Sequence, residues 1–558
     1  MQPIIECVPN FSEGNDLGII KQITGEIELV EGAKLLNVDP GKATNRTVVT
    51  FVGSPGSVVE AAFRAIKKAG ELIDMSKHKG EHPRMGATDV CPLVPIADIS
   101  MEETAKYAQL LAKRVGEELH LPVYLYEAAQ SKTTRSNLSV IRAGEYEGFF
   151  KKIKLPEWKP DFGPAEFDAK RGATVIGARD FLVAYNVNLN TTSVRRANAI
   201  AFDVREAGRV KKINNKTVLD DHGKPVTVPG SLKNVKAIGW FIEEYGIAQI
   251  SMNLTNINIT PLHIAFDEVC KKADARGIRV TGSELVGLIP LKAMLDAGKY
   301  FLRKQKRSAG VSEKELIKIA VKSMGLEELA PFRPEERIIE YMLANKADRR
   351  LVSMGLSDFA DETASESPAP GGGSISAYIG ALGASLATMV ANLSSHKKGW
   401  DERWEEFSNW AEKGEQYKSA LIKLVDADTK AFNQIMNAFA LPKVTADEKS
   451  VRAKAIQDAT KFAIEIPFKV MQTAYASLEV IKAMAEAGNP NSVSDAGVAA
   501  LCARSAVMGA FMNVRINAKD FDDTKFTEDI ISQGREIENK TIAAEREILE
   551  IVNTKIGI

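Results

Sequence analysis

The feature that most constrains the fold is a change of pattern partway along the 558-residue chain. Up to about residue 300, strand-like runs such as Arg46–Val52 alternate with amphipathic stretches at helical spacing such as Val58–Ser76. After about residue 361 the strand pattern ends, and only long stretches with helical periodicity follow. Interleaved strands and helices are typical of α/β domains, whereas consecutive long helices are typical of bundles. The sequence therefore predicts two parts of different fold class.

The α/β part itself divides in two. Trp158–Gly172 is rich in Pro, Gly and Asp, and it separates one set of strands and helices from a second set that begins near Asp180. We predict a multidomain protein with two α/β sandwich subdomains, residues 1–179 and 180–326, then a linker at 327–350 and an all-α helical bundle at 351–558. The polar stretch Gly208–Gly230 is expected to form a surface loop or hairpin. The helices expected in the bundle are Ser374–Leu393, Trp400–Leu441, Ala446–Gly488, Ser494–Asn517 and Thr527–Thr554.

Charge and cysteine usage limit the partners and the compartment. Lys plus Arg and Asp plus Glu are both 73, so the net charge is zero and neither nucleic acid nor a membrane is an expected partner. The four cysteines are far apart in sequence, which favours free thiols in a reducing compartment. Met1–Asn10 lacks a basic segment followed by an apolar one, so no secretory signal is expected. Ile375–Leu393 is long enough to span a membrane, but its Ala, Gly and Ser content favours a closely packed helix of a cytoplasmic protein.

The segment His78–Gly86 holds two of the six histidines. Imidazole is the side chain best suited to proton transfer near neutral pH, so His82 and His78 are candidates for acid–base chemistry. His78, Glu81 and His82 also match the H-x-x-E-H pattern of a zinc-peptidase class. That pattern needs both histidines on one helical turn, which Pro83 directly after the second histidine disfavours. A surface loop without function is the other alternative that the residues leave open.

A run of three glycines lies in the segment Ser367–Ser374, just before a helix of small residues. A glycine loop at a helix N-terminus presents unpaired N–H groups and the positive end of the helix dipole, an arrangement that suits an anion. The alternative, which the residues alone favour slightly, is a hinge followed by a helix that Ser374 caps.

The helix predicted at Trp400–Leu441 carries Asp426 and Asp428, which are two residues apart and so face different directions. The apolar stripe of this helix passes through Asp428 and not through Asp426. A carboxylate that faces apolar surroundings is costly unless it is paired or used, so Asp428 is a candidate functional residue. A buried salt bridge to an Arg of the helix at Ser494–Asn517 is the structural alternative. The stripe consists of Leu421, Leu424, Val425, Phe432, Ile435 and Phe439.

Two groups of motifs in this chain resemble known enzymes. The first group resembles glutamate formiminotransferase and consists of Glu6–Gly14, Thr44–Thr47, His78–Gly86, Asp161–Pro164 and Leu285–Leu288. The second group resembles formiminotetrahydrofolate cyclodeaminase and consists of Ala369–Ser374, Val425–Asp428 and Phe511–Asn517. The order of the two groups on one chain resembles the bifunctional formiminotransferase-cyclodeaminase family, and the resemblance covers nearly the whole length.

The resemblance implies two reactions in histidine degradation and folate one-carbon metabolism. The first transfers formimino from N-formimino-L-glutamate to tetrahydrofolate, and the second cyclises 5-formiminotetrahydrofolate to 5,10-methenyltetrahydrofolate with release of ammonia. His82 matches the transferase's catalytic histidine, and Asp428 matches the cyclodeaminase's catalytic aspartate. Two segments match the transferase's folate-binding residues. They are Gly163, Pro164, Ala165, Glu166, Phe167, Asp168, Ala169, Lys170, Arg171 and Gly172, and Gly230, Ser231, Leu232, Lys233, Asn234, Val235, Lys236, Ala237, Ile238 and Gly239.

The resemblance also implies the cofactor, and the helix pattern predicts the assembly state. Tetrahydrofolate is expected as a co-substrate that carries a polyglutamate tail, and no metal is expected because neither reaction needs one. A homo-oligomer is expected, because sites of helical bundles often lie where bundles meet and the helix after Gly373 suits close packing. A noncatalytic folate-binding scaffold is a further alternative, which the presence of both His82 and Asp428 opposes.

Overall fold

The computed structural model describes residues 3–41, 45–80, 84–214, 216–221, 223–343, 351–519 and 521–557. His82 and Glu81 therefore lie outside the described residues, as do residues 344–350 of the predicted linker. The chain divides into two compact units, Met1–Ala293 with Gly325–Leu343, and Met294–Met324 with Ala344–Ile558. The prediction of α/β structure in the N-terminal part and helical structure in the C-terminal part is confirmed.

The first set of elements forms a mixed seven-stranded sheet with order β1-β4-β2-β5-β7-β6, and β3 pairs with β4. Strands β5, β7 and β6 run parallel, and the other pairings are antiparallel. The elements are β1 (Ile4–Cys7), β2 (Asn10–Phe11), α1 (Leu17–Glu28), β3 (Ala33–Gly41), β4 (Arg46–Gly53), α2 (Pro55–Leu72), β5 (Thr88–Ala97), α3 (Met101–Glu118), β6 (Val123–Glu127), α4 (Leu138–Arg142), α5 (Glu145–Lys152) and β7 (Thr174–Ala178).

Local sequence explains the helices that cover this sheet. Ser54 accepts a hydrogen bond from the Ser57 N–H and caps α2, and Pro55 occupies the first turn, where its missing N–H costs nothing. Ser100 and Glu103 form a reciprocal capping box at the start of α3. The apolar faces of α1, α2 and α3 share one buried core with alternate residues of the sheet. Within that core the Sγ atoms of Cys7 and Cys91 lie 3.4 Å apart on neighbouring strands, and both thiols are free.

The second set forms a four-stranded antiparallel sheet with order β13-β14-β8-β15. Helices α6 and α7 contribute buried residues to one face of this sheet. The predicted hairpin between Gly208 and Gly230 is present as two small antiparallel pairs. The elements are β8 (Val183–Leu189), α6 (Val194–Val204), β9 (Arg209–Val210), β10 (Lys212–Ile213), β11 (Lys216–Thr217), β12 (Thr227–Val228), β13 (Val235–Ile242), β14 (Ile247–Leu254), α7 (Leu262–Asp274) and β15 (Val280–Val286).

After β15 the described residues are mainly helical, and five long helices lie within a few residues of the predicted limits. Capping explains one start, because Thr445 and Glu448 form a reciprocal capping box. The segment Met294–Met324, which the sequence assigns to the second α/β subdomain, belongs to the second compact unit. The helices are α8 (Leu291–Lys304), α9 (Glu313–Met324), α10 (Pro334–Arg337), α11 (Ile339–Leu343), α12 (Leu356–Ala364), α13 (Gly372–Ser395), α14 (Trp404–Phe439), α15 (Ala446–Ala487), α16 (Val493–Ala518) and α17 (Thr524–Ile556).

Helices α13 and α16 pack closely because their facing residues are small. A Cβ on Gly380 would lie 3.1 Å from the Cβ of Ala506, and one on Gly383 would lie 2.9 Å from the carbonyl oxygen of Ala499. By length and composition alone, two segments in the described part of the chain would suffice to cross a membrane, Gly372–Ser395 and Pro490–Ala518. The most apolar window of each is 61% and 50% buried inside the protein, as in the core helices of bundles.

Candidate functional site

The described part of the His78–Gly86 motif is held by a buried arginine. Arg84 is 7% exposed, and its guanidinium pairs with both oxygens of Glu147, the shorter contact being 2.6 Å. Its Nε donates to His78 Nδ1 at 3.2 Å, and His78 Nε2 lies 2.9 Å from the carbonyl oxygen of Asn45. Because Nδ1 accepts, Nε2 carries the proton and donates to that carbonyl. His78 is therefore a structural histidine with both ring nitrogens engaged.

This finding bears on the zinc-peptidase alternative. A zinc ligand needs a free imidazole lone pair, and the lone pair of His78 is used by Arg84. Among the described residues no cluster of three His, Cys, Asp or Glu side chains is suited to a metal. The other two residues of that pattern, Glu81 and His82, lie outside the described ranges.

The motifs that carry the transferase resemblance converge on Asn45. Its Oδ1 accepts from the Gly14 N–H at 3.0 Å, and its Nδ2 donates to the Lys79 carbonyl at 2.9 Å. Asn45 adopts a φ of 44°, a left-handed conformation that Asn tolerates better than most residues. Segments more than 30 residues apart are thereby joined around the histidine motif.

A buried carboxylate anchors the end of the same motif. Asp89 is fully buried and accepts from the Met85 N–H at 3.0 Å, and it forms an ion pair with Arg142. Burial raises the pKa of Asp89, and the neighbouring Arg142 opposes that rise. Ser12 adds a hydrogen bond from its hydroxyl to the Gly86 carbonyl at 2.7 Å. These contacts fix the backbone that follows His82 in sequence.

The first predicted folate segment, residues 163–172, lies beside this motif. The Ala87 N–H donates to the Arg171 carbonyl at 2.8 Å, and a Cβ on Gly172 would lie 2.1 Å from the Met85 carbonyl oxygen. Asp168 accepts from Arg171 Nε at 2.6 Å and closes the loop on itself. Gly163 has a φ of 80°, and a Cβ there would lie 2.2 Å from the Leu121 carbonyl oxygen. Gly163 and Gly172, at the two ends of this segment, thus allow close packing of the backbone.

The second predicted folate segment, residues 230–239, contains most of β13. Burial alternates along the strand, so that Lys236 and Ile238 are exposed on the face opposite the helices. Trp240 continues that face, and its Nε1 donates to Gln249 at 3.2 Å. Gln249 in turn donates to Asn188 at 2.7 Å, so amide groups line this face of the sheet. The two folate segments stay predictions.

In the helical unit, the glycine run and Asp428 form one site. Helix α13 begins at Gly372 with Gly371 as its N-cap, so the expectation that Ser374 caps the helix is wrong. The Ser374 hydroxyl instead points to α14 and donates to the Asp428 Oδ2 at 2.9 Å. A Cβ on Gly373 would lie 2.1 Å from Asp428 Oδ1. The acidic group that lies at the glycine-rich N-terminus of α13 is therefore the carboxyl group of Asp428.

The electrostatics of Asp428 balance two effects. Burial raises its pKa above the ordinary value for an aspartate, and the hydrogen bonds from Ser374 partly oppose that rise. The positive end of the α13 dipole also favours the charged form. No cation among the described residues lies within ion-pair distance of Asp428, so the salt bridge considered as an alternative is not found there. The group is poised to hold a proton at higher pH than an exposed aspartate would.

The neighbouring Asp426 has a different role. Its Oδ1 accepts from the Leu351 N–H at 2.9 Å, a residue 75 positions away in the sequence. The predicted apolar stripe is buried only on one side of Asp428. Leu421 and Val425 are fully buried, whereas Phe432 is 37% exposed and Phe439 is 51% exposed. The carboxylate therefore lies where a buried stripe becomes an exposed apolar surface.

We expect Gly373→Ala to lower the cyclodeaminase activity that the resemblance implies by at least about 100-fold, because misplacing a catalytic group by roughly 1 Å has effects of that size. The added methyl would overlap the Asp428 carboxylate. Gly371→Ala is the matched control, since a Cβ at Gly371 meets nothing within 4 Å. The measurement is the rate of ammonia release from supplied 5-formiminotetrahydrofolate. Equal rates for the two variants would contradict the assignment of this site.

The sequence does not predict the role of Arg84 in the histidine motif or the hydrogen bonds that engage both ring nitrogens of His78. The contact between Gly373 and Asp428 is also not predictable from local sequence, because 55 positions separate the two residues and no periodicity links them. The three consecutive glycines were the available signal, since a helix N-terminus without side chains has room for a group from elsewhere.

One site in the α/β part and one in the helical part define a two-domain enzyme of two activities. Three family models match in order. They are the formiminotransferase domain, N-terminal subdomain, at residues 4–179, the formiminotransferase domain at 184–344, and formiminotransferase-cyclodeaminase at 355–536.

Curated relatives agree with the family models. The chain is 45% identical to the formimidoyltransferase-cyclodeaminase of Gallus gallus over 527 residues, which cover 94% of each chain. It is 43% identical to the glutamate formimidoyltransferase of Thermoplasma acidophilum over 302 residues, 54% of this chain and 92% of the relative. It is 37% identical to the methenyltetrahydrofolate cyclohydrolase of Methylorubrum extorquens over 199 residues, 36% of this chain and 96% of the relative.

The chain belongs to the formimidoyltransferase-cyclodeaminase family. The prediction of a bifunctional folate-dependent enzyme is thereby confirmed, and tetrahydrofolate as co-substrate agrees with it. The zinc-peptidase and scaffold alternatives find no support in these comparisons.

Proposed function

We propose that this enzyme transfers formimino from N-formimino-L-glutamate to N5 of tetrahydrofolate, and that Asp428 then catalyses cyclisation to 5,10-methenyltetrahydrofolate with loss of ammonia. The observation that carries the proposal is the mostly buried Asp428 carboxyl against the N-terminus of α13. We also propose that the transferase part consists of two α/β sandwich subdomains. Its active site is proposed to lie between the histidine motif and the two folate segments.

In the first reaction, His82 acts as base and then as acid. The N5 amine of tetrahydrofolate attacks the formimino carbon and forms a tetrahedral adduct. His82 removes the N5 proton and returns it to the glutamate nitrogen, whose bond to carbon then breaks. Support comes from the surrounding structure, since Arg84, Asn45 and Asp89 hold the backbone on both sides of this residue.

In the second reaction, Asp428 acts as the acid. N10 of the folate attacks the carbon of the formimino group in its protonated form, –CH=NH2+, and the protonated Asp428 gives its proton to the departing nitrogen. The proton of N10 returns to the carboxylate as ammonia leaves, so the group ends in its starting form. Burial keeps the pKa of Asp428 high, which supports this role near neutral pH.

The pH profile of the Ser374→Ala variant tests the role of Asp428. The acid must be protonated, so the rate falls as pH rises through its pKa. Ser374 donates a hydrogen bond that stabilises the charged carboxylate and lowers its pKa. Removing that bond raises the pKa, so we expect the descending limb of the cyclodeaminase profile to move to higher pH. A limb that stays in place, or moves to lower pH, would count against Asp428 as the acid.

The folate segments are proposed to bind the co-substrate from two directions. Residues 163–172 adjoin the histidine motif, which supports a role beside the reacting groups. The face of β13 with Lys236 and Trp240 offers a cation and a partly exposed aromatic surface. A pteridine ring is flat and can stack on such an aromatic side chain. Tetrahydrofolate with a polyglutamate tail is the proposed form of the co-substrate.

A homo-oligomer is proposed because α13 and α16 turn large apolar side chains outward. Their inward faces are small, so that the two helices pack closely, and the large residues on the other face lack a partner within the described chain. The two helices, each about 36–39 Å long, outline a surface comparable to the roughly 800 Å² per partner of a stable interface. The exposed fractions are Leu382 44%, Met389 37%, Leu393 47%, Val498 49%, Leu501 46%, Met512 59% and Ile516 69%.

We expect Leu501→Glu to lower the molar mass measured by light scattering, because an unpaired carboxylate in an apolar interface is strongly unfavourable. The dissociation constant should rise at least about tenfold, which corresponds to roughly 1.4 kcal/mol. Leu110→Glu is the matched control, since Leu110 is 48% exposed on α3, outside this surface. A wild-type chain that is monomeric at working concentration would refute the oligomer.

A cytoplasmic location completes the proposal. The described thiols are all free, including Cys7 and Cys91, whose sulfur atoms lie only 3.4 Å apart. Neighbouring thiols of this kind are favoured by a reducing compartment.

A further inference from the structure

The segment Phe511–Asn517 on α16 brings a further polar side chain to the site of Asp428. Gly372 and Gly373 are the first two residues of α13, and each is contacted by a different helix. A Cβ on Gly373 would overlap the Asp428 carboxyl group of α14. A Cβ on Gly372 would lie 3.3 Å from Nδ2 and 3.7 Å from Oδ1 of Asn513. The carboxyl group and the amide therefore flank the first turn of α13, beside consecutive Cα atoms that are about 3.8 Å apart.

The amide of Asn513 has a defined orientation. Its Nδ2 donates to the Gly509 carbonyl at 2.9 Å, one turn earlier on α16, which fixes the side on which the amide nitrogen lies. Gly509 itself packs on α13, because a Cβ there would overlap the Ser376 hydroxyl. Residues four apart share one face of a helix, so Asn513 lies on the face of α16 that meets α13.

The Oδ1 atom of Asn513 is available to a ligand. Among the residues that the structure describes, no N–H or O–H group donates to it. Asn513 is half-buried and the adjoining Gly372 is exposed, so this end of the site is open to solvent. The site thus combines an amide acceptor with the carboxyl group of Asp428, on either side of a space that two glycines leave empty.

The formimino group requires an acceptor in such a position. In its protonated form, –CH=NH2+, the nitrogen carries two N–H bonds and no lone pair. When N10 adds to the carbon, the nitrogen becomes an amine, and its new lone pair has to face Asp428 to receive a proton. An acceptor that holds one of the N–H bonds fixes the rotation about the carbon–nitrogen bond and so directs that lone pair.

We propose that Asn513 recognises the formimino group, with its Oδ1 accepting one N–H bond of the nitrogen that Asp428 protonates. This hydrogen bond is charge-assisted in the –CH=NH2+ form, and it is therefore stronger than one between neutral groups. A formyl group on N5 has an oxygen in place of this nitrogen, so two acceptors would face each other. Asn513 thereby selects 5-formiminotetrahydrofolate over 5-formyltetrahydrofolate. The proposal rests on the proposed function, which provides the cyclisation at Asp428.

Competition between the two folates in the ammonia assay tests this selection. Supplied 5-formiminotetrahydrofolate is the substrate and 5-formyltetrahydrofolate is the inhibitor, so the assay reports the site of Asp428 alone. In Asn513→Leu, which has a similar size and no polar side-chain atom, kcat/KM should fall about tenfold or more, because a hydrogen bond to a charged group is lost. The inhibition constant of the formyl compound should stay the same or fall, because the opposing acceptor is gone.

Two further variants serve as controls. Asn513→Asp keeps an acceptor and loses the N–H donor, so it should retain more of the wild-type kcat/KM than Asn513→Leu and should still be inhibited weakly by the formyl compound. Asn433→Leu makes the apolar change at an exposed position of α14, outside the site, and should leave both constants unchanged.

Each other outcome overturns the inference. An unchanged kcat/KM in Asn513→Leu would remove the residue from the reaction, and an inhibition constant that rises as kcat/KM falls would indicate a general loss of shape. An equal loss in Asn513→Asp would assign the effect to the N–H donor, and wild-type protein that is inhibited strongly by the formyl compound would show no selection. Wild-type protein that releases no ammonia refutes the proposed function, and this inference with it, before any variant or inhibitor is added.

Discussion

The Asp428→Asn variant is expected to transfer formimino at the wild-type rate and to release almost no ammonia, so that 5-formiminotetrahydrofolate accumulates. Asn has the same shape as Asp and can still accept the Ser374 hydrogen bond at the position of Oδ2, so the packing against Gly373 is kept. What is lost is the proton that the leaving nitrogen needs. General acid catalysis contributes about 10²–10⁴-fold, and we expect a loss in that range.

The control for this variant lies two residues away. Asp426→Asn makes the same chemical change on the same helix, at a carboxylate that bonds the Leu351 N–H. Its ammonia release should stay near the wild-type rate. Equal losses in both variants would indicate damage to α14 in place of a catalytic role for Asp428, and full activity of Asp428→Asn would remove the residue from the mechanism.

The His82→Ala variant is expected to show the opposite pattern. Formimino transfer should fall by about 10²–10⁴-fold, because the proposed mechanism assigns both the base and the acid of that step to His82. Supplied 5-formiminotetrahydrofolate should still be cyclised at the wild-type rate, since that chemistry belongs to Asp428 in the helical unit. The two rates are measured separately, by glutamate release and by ammonia release.

His120→Ala is the control for the histidine variant. His120 follows α3 and is exposed, and its backbone carbonyl accepts from Arg171. Loss of its imidazole leaves that bond in place, so transfer should be unaffected. Transfer that survives in His82→Ala would end the assignment of His82, and cyclisation that fails there would show that the two activities are not separable.

The long helices of the second unit could be predicted closely from the sequence. Periodicity and caps are local properties, and α15 begins at the predicted residue, Ala446, because Thr445 and Glu448 cap it. The run Ile278–Thr281 predicts a short strand from sequence, and in the structure β15 covers Val280–Val286. Its later residues, such as Ser283, are buried by pairing with β8, which no local pattern reveals.

The candidate sites were predictable only in part. The position of Asp428 on an apolar stripe and the glycine loop before α13 were both visible, but as separate features. Their meeting depends on the packing of α13 on α14, a tertiary contact between residues that are 54 positions apart. Phe432 belongs to the predicted apolar stripe but is partly exposed, so the stripe is not a core face along its whole length. Periodicity alone does not distinguish a buried face from an exposed apolar surface.

The central claim is that one chain performs both reactions, and mixing purified protein with tetrahydrofolate and N-formimino-L-glutamate tests it most directly. We would follow the near-ultraviolet absorbance of 5,10-methenyltetrahydrofolate and assay ammonia in the same samples. The account predicts that both products rise together in equal amounts. Folded protein that yields neither the absorbance nor ammonia would contradict it.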